Sequence, residues 1–297
     1  MSGEEIQPSE PSQQQVPSNE GRIARSWRLT AAAWRVVRHD TALRVLAAWS
    51  GLFSVASIVA IVALGGLLSG HGHFDRNHFL LAALILAYPL MFVSVFLNTA
   101  IAAAAAAALD GRHLSLGEAL AVPMRRIGQI ALWSLIATVV GVVLEQLASR
   151  LPLGGSIVAR LVGVGWSLAS LFAIPVLALE DRSAPECLKR SAQVVRKRWG
   201  EGISGNVTIS AWTIFAMVPL VIVFVAALAI GHNAPAVRDL VVFLVALAFV
   251  AVIAITAVVR QTFAVALYQF ATTNSPQGPF AQSDLQAPFK AKRGFLR

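Results

Sequence analysis

Long apolar runs alternate with short polar joins along most of this chain. Six blocks stand out, at about 45–68, 79–109, 127–148, 157–179, 206–230 and 237–260. A helix needs about 20 apolar residues to cross about 30 Å of hydrocarbon, and every block is long enough. None alternates residue by residue as a membrane barrel strand does. The pattern predicts an all-α, polytopic membrane protein with six transmembrane helices and basic amphipathic helices on its cytoplasmic side. Block 2 is the longest, at about 31 residues or about 46 Å as a helix, so it must tilt or project beyond the bilayer. It ends in an unbroken alanine run, Ala102 to Ala108. Lipid gives no hydrophobic drive between helices, so small residues mark close backbone approach. The run predicts a packing surface, and Ala159, Gly163 and Ser167 predict a similar stripe on block 4. Pro89, Pro175 and Pro219 each free a carbonyl and can kink their helices.

The polar segments set domain limits and orientation. Residues 1–20 are polar and Pro-rich, which predicts a disordered leader. Residues 21–271 form the membrane domain, and 272–297 read as a flexible basic tail. From Gly21 to Arg44, arginines interleave with Trp27, Trp34, Val37 and Leu43, a pattern suited to a helix in the headgroup layer. The joins between blocks 1–2, 3–4 and 5–6 hold only Arg76, Arg150, Arg160 and Arg238 among the Lys and Arg residues. The other cations lie in the N-terminal segment, the remaining joins and the tail, so the positive-inside rule puts both termini in the cytoplasm. The first block starts too deep for a cleaved signal peptide, so an uncleaved first helix is expected. Arginine far outnumbers lysine, as in GC-rich bacterial genomes, and the expected location is the inner (plasma) membrane.

Two cytoplasmic joins repeat one pattern. Asp110-Gly-Arg112 precedes Ser115-x-x-Glu118, and Glu180-Asp-Arg182 precedes Ser183-x-x-Glu186. Ser-x-x-Glu is a capping box, so each join should start a helix at its serine. In the second helix Leu188, Ala192, Val195 and Trp199 fall on one stripe. Lys189, Arg190, Arg196, Lys197 and Arg198 fill the other faces. With Trp199 they are the expected contacts to anionic lipid of the inner leaflet. Cys187 sits in this join and would report its sidedness to an impermeant thiol reagent.

Composition adds limits. Hydrophobic residues make up 57% of the chain and charged ones 13%, with a formal charge of +9. Charged residues make up about 25% of soluble domains. The excess charge reports topology and anionic lipid before nucleic acid, because no nucleic-acid-binding module accompanies it. One cysteine excludes an internal disulfide. His71, His73, Asp75 and His78 have metal-ligand chemistry but share a short Gly-containing loop, so a solvated turn is expected there. Asn98, Glu145 and Arg160 are the intramembrane polar candidates. Asn98 suits interhelical hydrogen bonding, and Glu145 with Arg160 suits an ion pair joining helices 3 and 4. No protease, nucleotide-binding or hydrolase motif is present, so no enzyme, catalytic residue, cofactor or metal is expected.

Certain short stretches are familiar. Phe96-Leu-Asn-Thr-Ala100, Asp110-Gly-Arg112, Phe172-Ala-Ile-Pro-Val-Leu-Ala-Leu-Glu180, Leu188-Lys-Arg-Ser191 and Arg198-Trp-Gly-Glu201 resemble an uncharacterised prokaryotic integral-membrane family, domain of unknown function 6159, over about residues 25–272. A looser likeness runs to the membrane domain that precedes some glycerophosphodiester phosphodiesterases. The resemblance implies a six-helix membrane fold and no activity. The expected function is a non-catalytic membrane scaffold or accessory protein on anionic lipid, with room for a membrane-protein partner or a homo-oligomer. A small-molecule transporter is the alternative, and it requires Asn98, Glu145 and Arg160 to meet in a wet cavity.

Overall fold

A computed structural model describes residues 22–69, 76–150, 153–199, 219–223, 235–273 and 278. No strand occurs among them. The helices are α1 (Arg22–His39), α2 (Thr41–Ser69), α3 (Arg76–Leu109), α4 (Leu116–Arg125), α5 (Ile127–Arg150), α6 (Leu153–Ala169), α7 (Ala173–Leu179), α8 (Ala184–Trp199) and α9 (Pro235–Thr273). The leader, the 71–75 loop, most of the tail and all of block 5 except a helical piece at 219–223 lie outside the described residues.

The bundle is built around α3, which touches α1, α2, α4, α5, α7 and α9. Its Ile85–Leu109 stretch is 61% buried, against 17% for the apolar stretch of α9. The alanine run explains the difference. Ala102 to Ala107 are all buried, because methyl side chains let several helices close on one backbone. The same device joins α2 to α9. A side chain at Gly51 would meet the Ala254 Cβ at 3.1 Å. The expected stripe on block 4 behaves differently. Nothing among the described residues lies within 4 Å of where a Gly163 side chain would begin, and Ser167 is exposed.

Among the described residues, burial is concentrated at one end of the bundle. Ala33, Val37, Leu43, Leu46, Ile101, Ile130, Phe172, Val176, Leu177, Val258 and Val265 form one core there. Beyond it Leu52, Val59, Val143, Leu161, Phe243 and Leu247 are exposed. An apolar belt this extensive on several helices is stable against lipid rather than water.

Three features depart from the sequence expectation. Block 4 is not one helix: a turn at 170–172 divides α6 from α7. Pro175 is the cause, since a proline ring in a continuing helix would strike the carbonyl of Leu171. In the first turn of α7 its missing N–H has no helical partner to lose. Block 6 runs on to Thr273, through Arg260, Gln261 and Thr262. The polar trio lowers hydropathy without stopping the helix, because Val258, Val265, Ala266 and Phe270 keep an apolar face in the core. The basic segment 21–44 is not continuous either. Asp40 ends α1, and its Oδ1 accepts the Leu43 N–H at 2.9 Å to cap α2. Among the described residues, five stretches have the length and hydropathy to cross a membrane: Thr41–Ile61, Ile85–Leu109, Ile127–Ala148, Leu161–Leu179 and Val237–Thr273.

Candidate functional site: a polar belt and a basic groove

The five apolar stretches end close to one belt of polar contacts. Asp40, buried at the head of α2, meets His113 Nδ1 at 2.9 Å with its other oxygen. At the end of α3 the chain turns on Gly111, whose φ of 75° suits glycine. The Arg112 N–H then returns to the Ala107 carbonyl at 2.8 Å. Ser115 and Glu118 form the expected capping box, with Glu118 N–H to Ser115 Oγ at 3.2 Å and Ser115 N–H to Glu118 Oε2 at 2.7 Å. In the second join Glu186 accepts from the Ser183 N–H at 3.0 Å. Both predicted helix starts are therefore in place.

The second join is tied down from outside itself. Arg126 Nη1 donates to the Leu177 carbonyl at 2.7 Å and also to that of Glu180, taking up the free carbonyl end of α7. Gln129 Oε1 accepts the first amide of α8, Ala184, at 2.9 Å. Ser191 Oγ, fully buried, accepts the Phe172 N–H at 2.9 Å and so satisfies the amide freed by the break before α7. The Glu180 carboxylate collects Tyr268, Arg182 and Arg190, the last through Nε at 3.1 Å. Burial pushes the Glu180 pKa up, but the hydrogen bonds from Tyr268, Arg182 and Arg190 outweigh it and hold the carboxyl below its ordinary value. The ring of Tyr268 packs on Phe172 with centroids 5.7 Å apart. The next residue on α9, Gln269, reaches Asp110 of the first join at 3.4 Å. Consecutive residues of α9 thus read both turns.

The sequence places α8 correctly and its seat incorrectly. Of the expected Leu188, Ala192, Val195, Trp199 stripe, Val195 is buried and Leu188 packs against the core, but the buried face is centred one position earlier in each turn. Ala184, Cys187, Ser191, Val194 and Val195 are buried, against α5, α6, α7 and α9. The helix docks on the bundle because Ser191 and Val194 meet partners there, while Leu188 and Ala192 are half-buried at the edge. Cys187 is 1% exposed, and burial pushes its thiol pKa up to about 11. An impermeant thiol reagent would therefore miss it from either side, so the native cysteine does not report topology.

Between α8 and the end of α9 lies a groove of about 700 Å³. Arg190, Gln193, Val194, Arg196, Lys197, Ala271 and Thr272 line it. Arg190 is fixed by Glu180, whereas Arg196 and Lys197 make no ion pair among the described residues. Lys189 is exposed and outside this lining. The side chains of Arg198 and Trp199 lie outside the described set. Asn98 donates Nδ2 to the Ser94 carbonyl of its own helix at 2.8 Å. Glu145 is exposed far along α5, and the side chain of Arg160 lies outside the described set, so no meeting of these three is seen among the described residues. No group of three or more metal-ligating side chains occurs among the described residues.

Tyr268, Arg126, Gln129, Asp40 and His113 were invisible to pattern reading. Each lies next to or inside an apolar run, and its partner is more than fifty positions away, or 73 in the Asp40–His113 case.

Long apolar helices with an exposed apolar belt and a polar belt at one end define a multi-pass helical membrane protein. The chain belongs to a family of unknown function, DUF6159, whose model matches residues 79–278. That match runs from the start of α3 past the end of α9. No curated protein and no solved structure matches the chain, and the looser likeness to the glycerophosphodiester phosphodiesterase membrane domain finds no support.

Proposed function

We propose that the protein is a non-catalytic scaffold or accessory protein of the bacterial inner membrane, with six crossings and both termini in the cytoplasm. Its basic inner end holds the anionic leaflet, and a membrane-protein partner or a second copy assembles on it. One observation carries this reading: three groove-lining cations lie at the end of the bundle where the apolar stretches stop. That level is where lipid phosphates sit, and each cation near an anionic leaflet is worth about 1 kcal/mol. Transport is the second reading. The broken α6–α7 segment favours it, since discontinuous helices line many transporter sites. Here, however, the freed amide is taken by Ser191 and the freed carbonyls by Arg126.

Native mass spectrometry of the gently solubilised full chain tests the reading. Wild type is compared with a variant in which Lys189, Arg190, Arg196, Lys197 and Arg198 are all alanine. Anionic phospholipid, or a protein partner, should stay on wild type and leave the variant. Equal retention of one small solute by both forms would overturn the scaffold reading in favour of transport.

A further inference from the structure

We infer that the α8–α9 groove is a discrete site for the phosphate of an anionic phospholipid headgroup, with Arg190, Arg196 and Lys197 as its ligands. This deepens the preceding reading from a charged surface to a built pocket. Three observations support a pocket. The cations line one groove from positions about two turns apart on α8, with the exposed Gln193 able to donate a neutral hydrogen bond between them. Arg190 is held in place before any ligand arrives: its Nε is on Glu180, and Tyr268, which also holds Glu180, lies against it, so the guanidinium is positioned beside the groove in advance. Arg196 and Lys197 have no competing carboxylate among the described residues.

Size and position select the ligand. A volume near 700 Å³ exceeds one inorganic phosphate and suits a phosphate carrying a glycerol-sized headgroup. The far wall is Ala271 and Thr272, the last turn of a membrane-crossing helix. A lipid phosphate at the bilayer surface reaches that level with its acyl chains still in the apolar layer. The guanidinium fork of Arg190 matches two phosphate oxygens, and Lys197 adds a point charge.

The test uses the full chain in detergent micelles, titrated separately with short-chain phosphatidylglycerol, short-chain phosphatidylcholine and soluble glycerol 1-phosphate. Binding is read from the shift in melting temperature and from adduct counts in native mass spectrometry. Phosphatidylglycerol should bind saturably with one or a few adducts, and phosphatidylcholine should bind more weakly. Arg196 and Lys197 make no ion pair among the described residues, so Arg196→Ala and Lys197→Ala should fold normally while weakening binding about tenfold each, the size of one lost charge-assisted contact. Arg190→Ala should weaken it further. Lys189→Ala should leave it unchanged. Equal loss on Lys189→Ala would mean diffuse surface attraction; it overturns the pocket and leaves the scaffold reading standing. Glycerol 1-phosphate binding as tightly as the lipid would overturn the lipid assignment in favour of a soluble phosphate ligand. No binding of phosphatidylglycerol by wild type would overturn both the pocket and the leaflet reading.

Discussion

The two joins that read alike in sequence are stabilised in opposite ways. Each carries an acidic residue and an arginine two positions on, Asp110 with Arg112 and Glu180 with Arg182, and each pair makes an ion contact. The first turn closes with its own groups, and Asp40 and Gln269 add side-chain contacts to His113 and Asp110 from outside. A glycine ends α3, a backbone bond closes the turn, and a reciprocal Ser115–Glu118 cap opens α4. The second turn has no glycine, and α7 ends in extended backbone at Glu180. Its loose carbonyls, amides and carboxylate are satisfied by Arg126, Gln129, Ser191, Arg190 and Tyr268. A local signature therefore specifies where a helix begins, while the surroundings decide whether the turn is autonomous or a joint between helices. The second has become the joint, and the basic groove is built on its far side.

Removing the outside supports should hurt most. Arg126→Ala strands the Leu177 carbonyl and takes one of two donors from that of Glu180, which keeps the Arg182 N–H, and should cost about 1–3 kcal/mol, read from unfolding in mixed micelles. A cost no greater than that of a surface arginine would show that water replaces the guanidinium and that the joint reading fails. Ser191→Ala removes the acceptor of a buried amide and should cost about 1–2 kcal/mol. Ser191→Thr keeps the hydroxyl and should recover part of it if the extra methyl fits. A loss from Ser191→Ala that no hydroxyl-bearing residue restores would point to packing instead.

The pH response separates the joins further. The Glu180 pKa is lowered in the folded protein, so its contribution is present above the ordinary carboxylate range and is lost as pH falls through the folded value. Between neutral and acid pH the wild-type melting temperature should therefore fall more than that of Glu180→Gln. Parallel curves would mean that Tyr268 and the arginines do not favour the ionised carboxylate. Sidedness can be checked at the same join. Asp181 is exposed and Cys187 is silent, so Asp181→Cys should react with an impermeant reagent only after the cytoplasmic face is opened. Labelling in intact cells would reverse the proposed orientation.

Helix positions were legible because hydropathy and the capping serines are local signals. The alanine run of α3 was legible as a packing surface for the same reason, since only small residues tolerate several close neighbours. Three things were not. The α6–α7 break depends on where Pro175 falls relative to a Ser191 that lies on another helix. The extension of α9 past Arg260 depends on a buried face that outweighs three polar residues, and mean hydropathy averages that face away. The seat of α8 was misjudged because its apolar residues form two overlapping stripes. Favouring Cys187–Ser191–Val194 over Leu188–Ala192, with Val195 common to both faces, requires knowing that Ser191 meets the Phe172 amide at the head of α7. Of the candidate site, the cations were legible as charge, but the groove was not, because Ala271 and Thr272 lie beyond the sixth apolar block, at the boundary between the expected membrane domain and tail.

The smallest expected effects lie at the first turn, and they test the comparison most sharply. Ser115→Ala removes one side of a capping box and should cost about 0.5–1 kcal/mol, the usual scale for an exposed N-cap. Arg112→Ala should be smaller still. Its side chain is 69% exposed, its partner Asp110 is 39% exposed, and solvent screens such a pair to within about 0.5 kcal/mol. The turn itself should survive, because the Arg112 backbone N–H, which no side-chain change removes, makes the closing bond to Ala107. Arg182→Ala should exceed Arg112→Ala, since Glu180 is the less exposed acid at 22% and also orients Arg190. If the order reverses, Asp110 and Gln269 matter more to the α9 contact than Glu180 and Tyr268 do. The first turn, not the second, would then be the joint on which the inner end of the bundle is assembled.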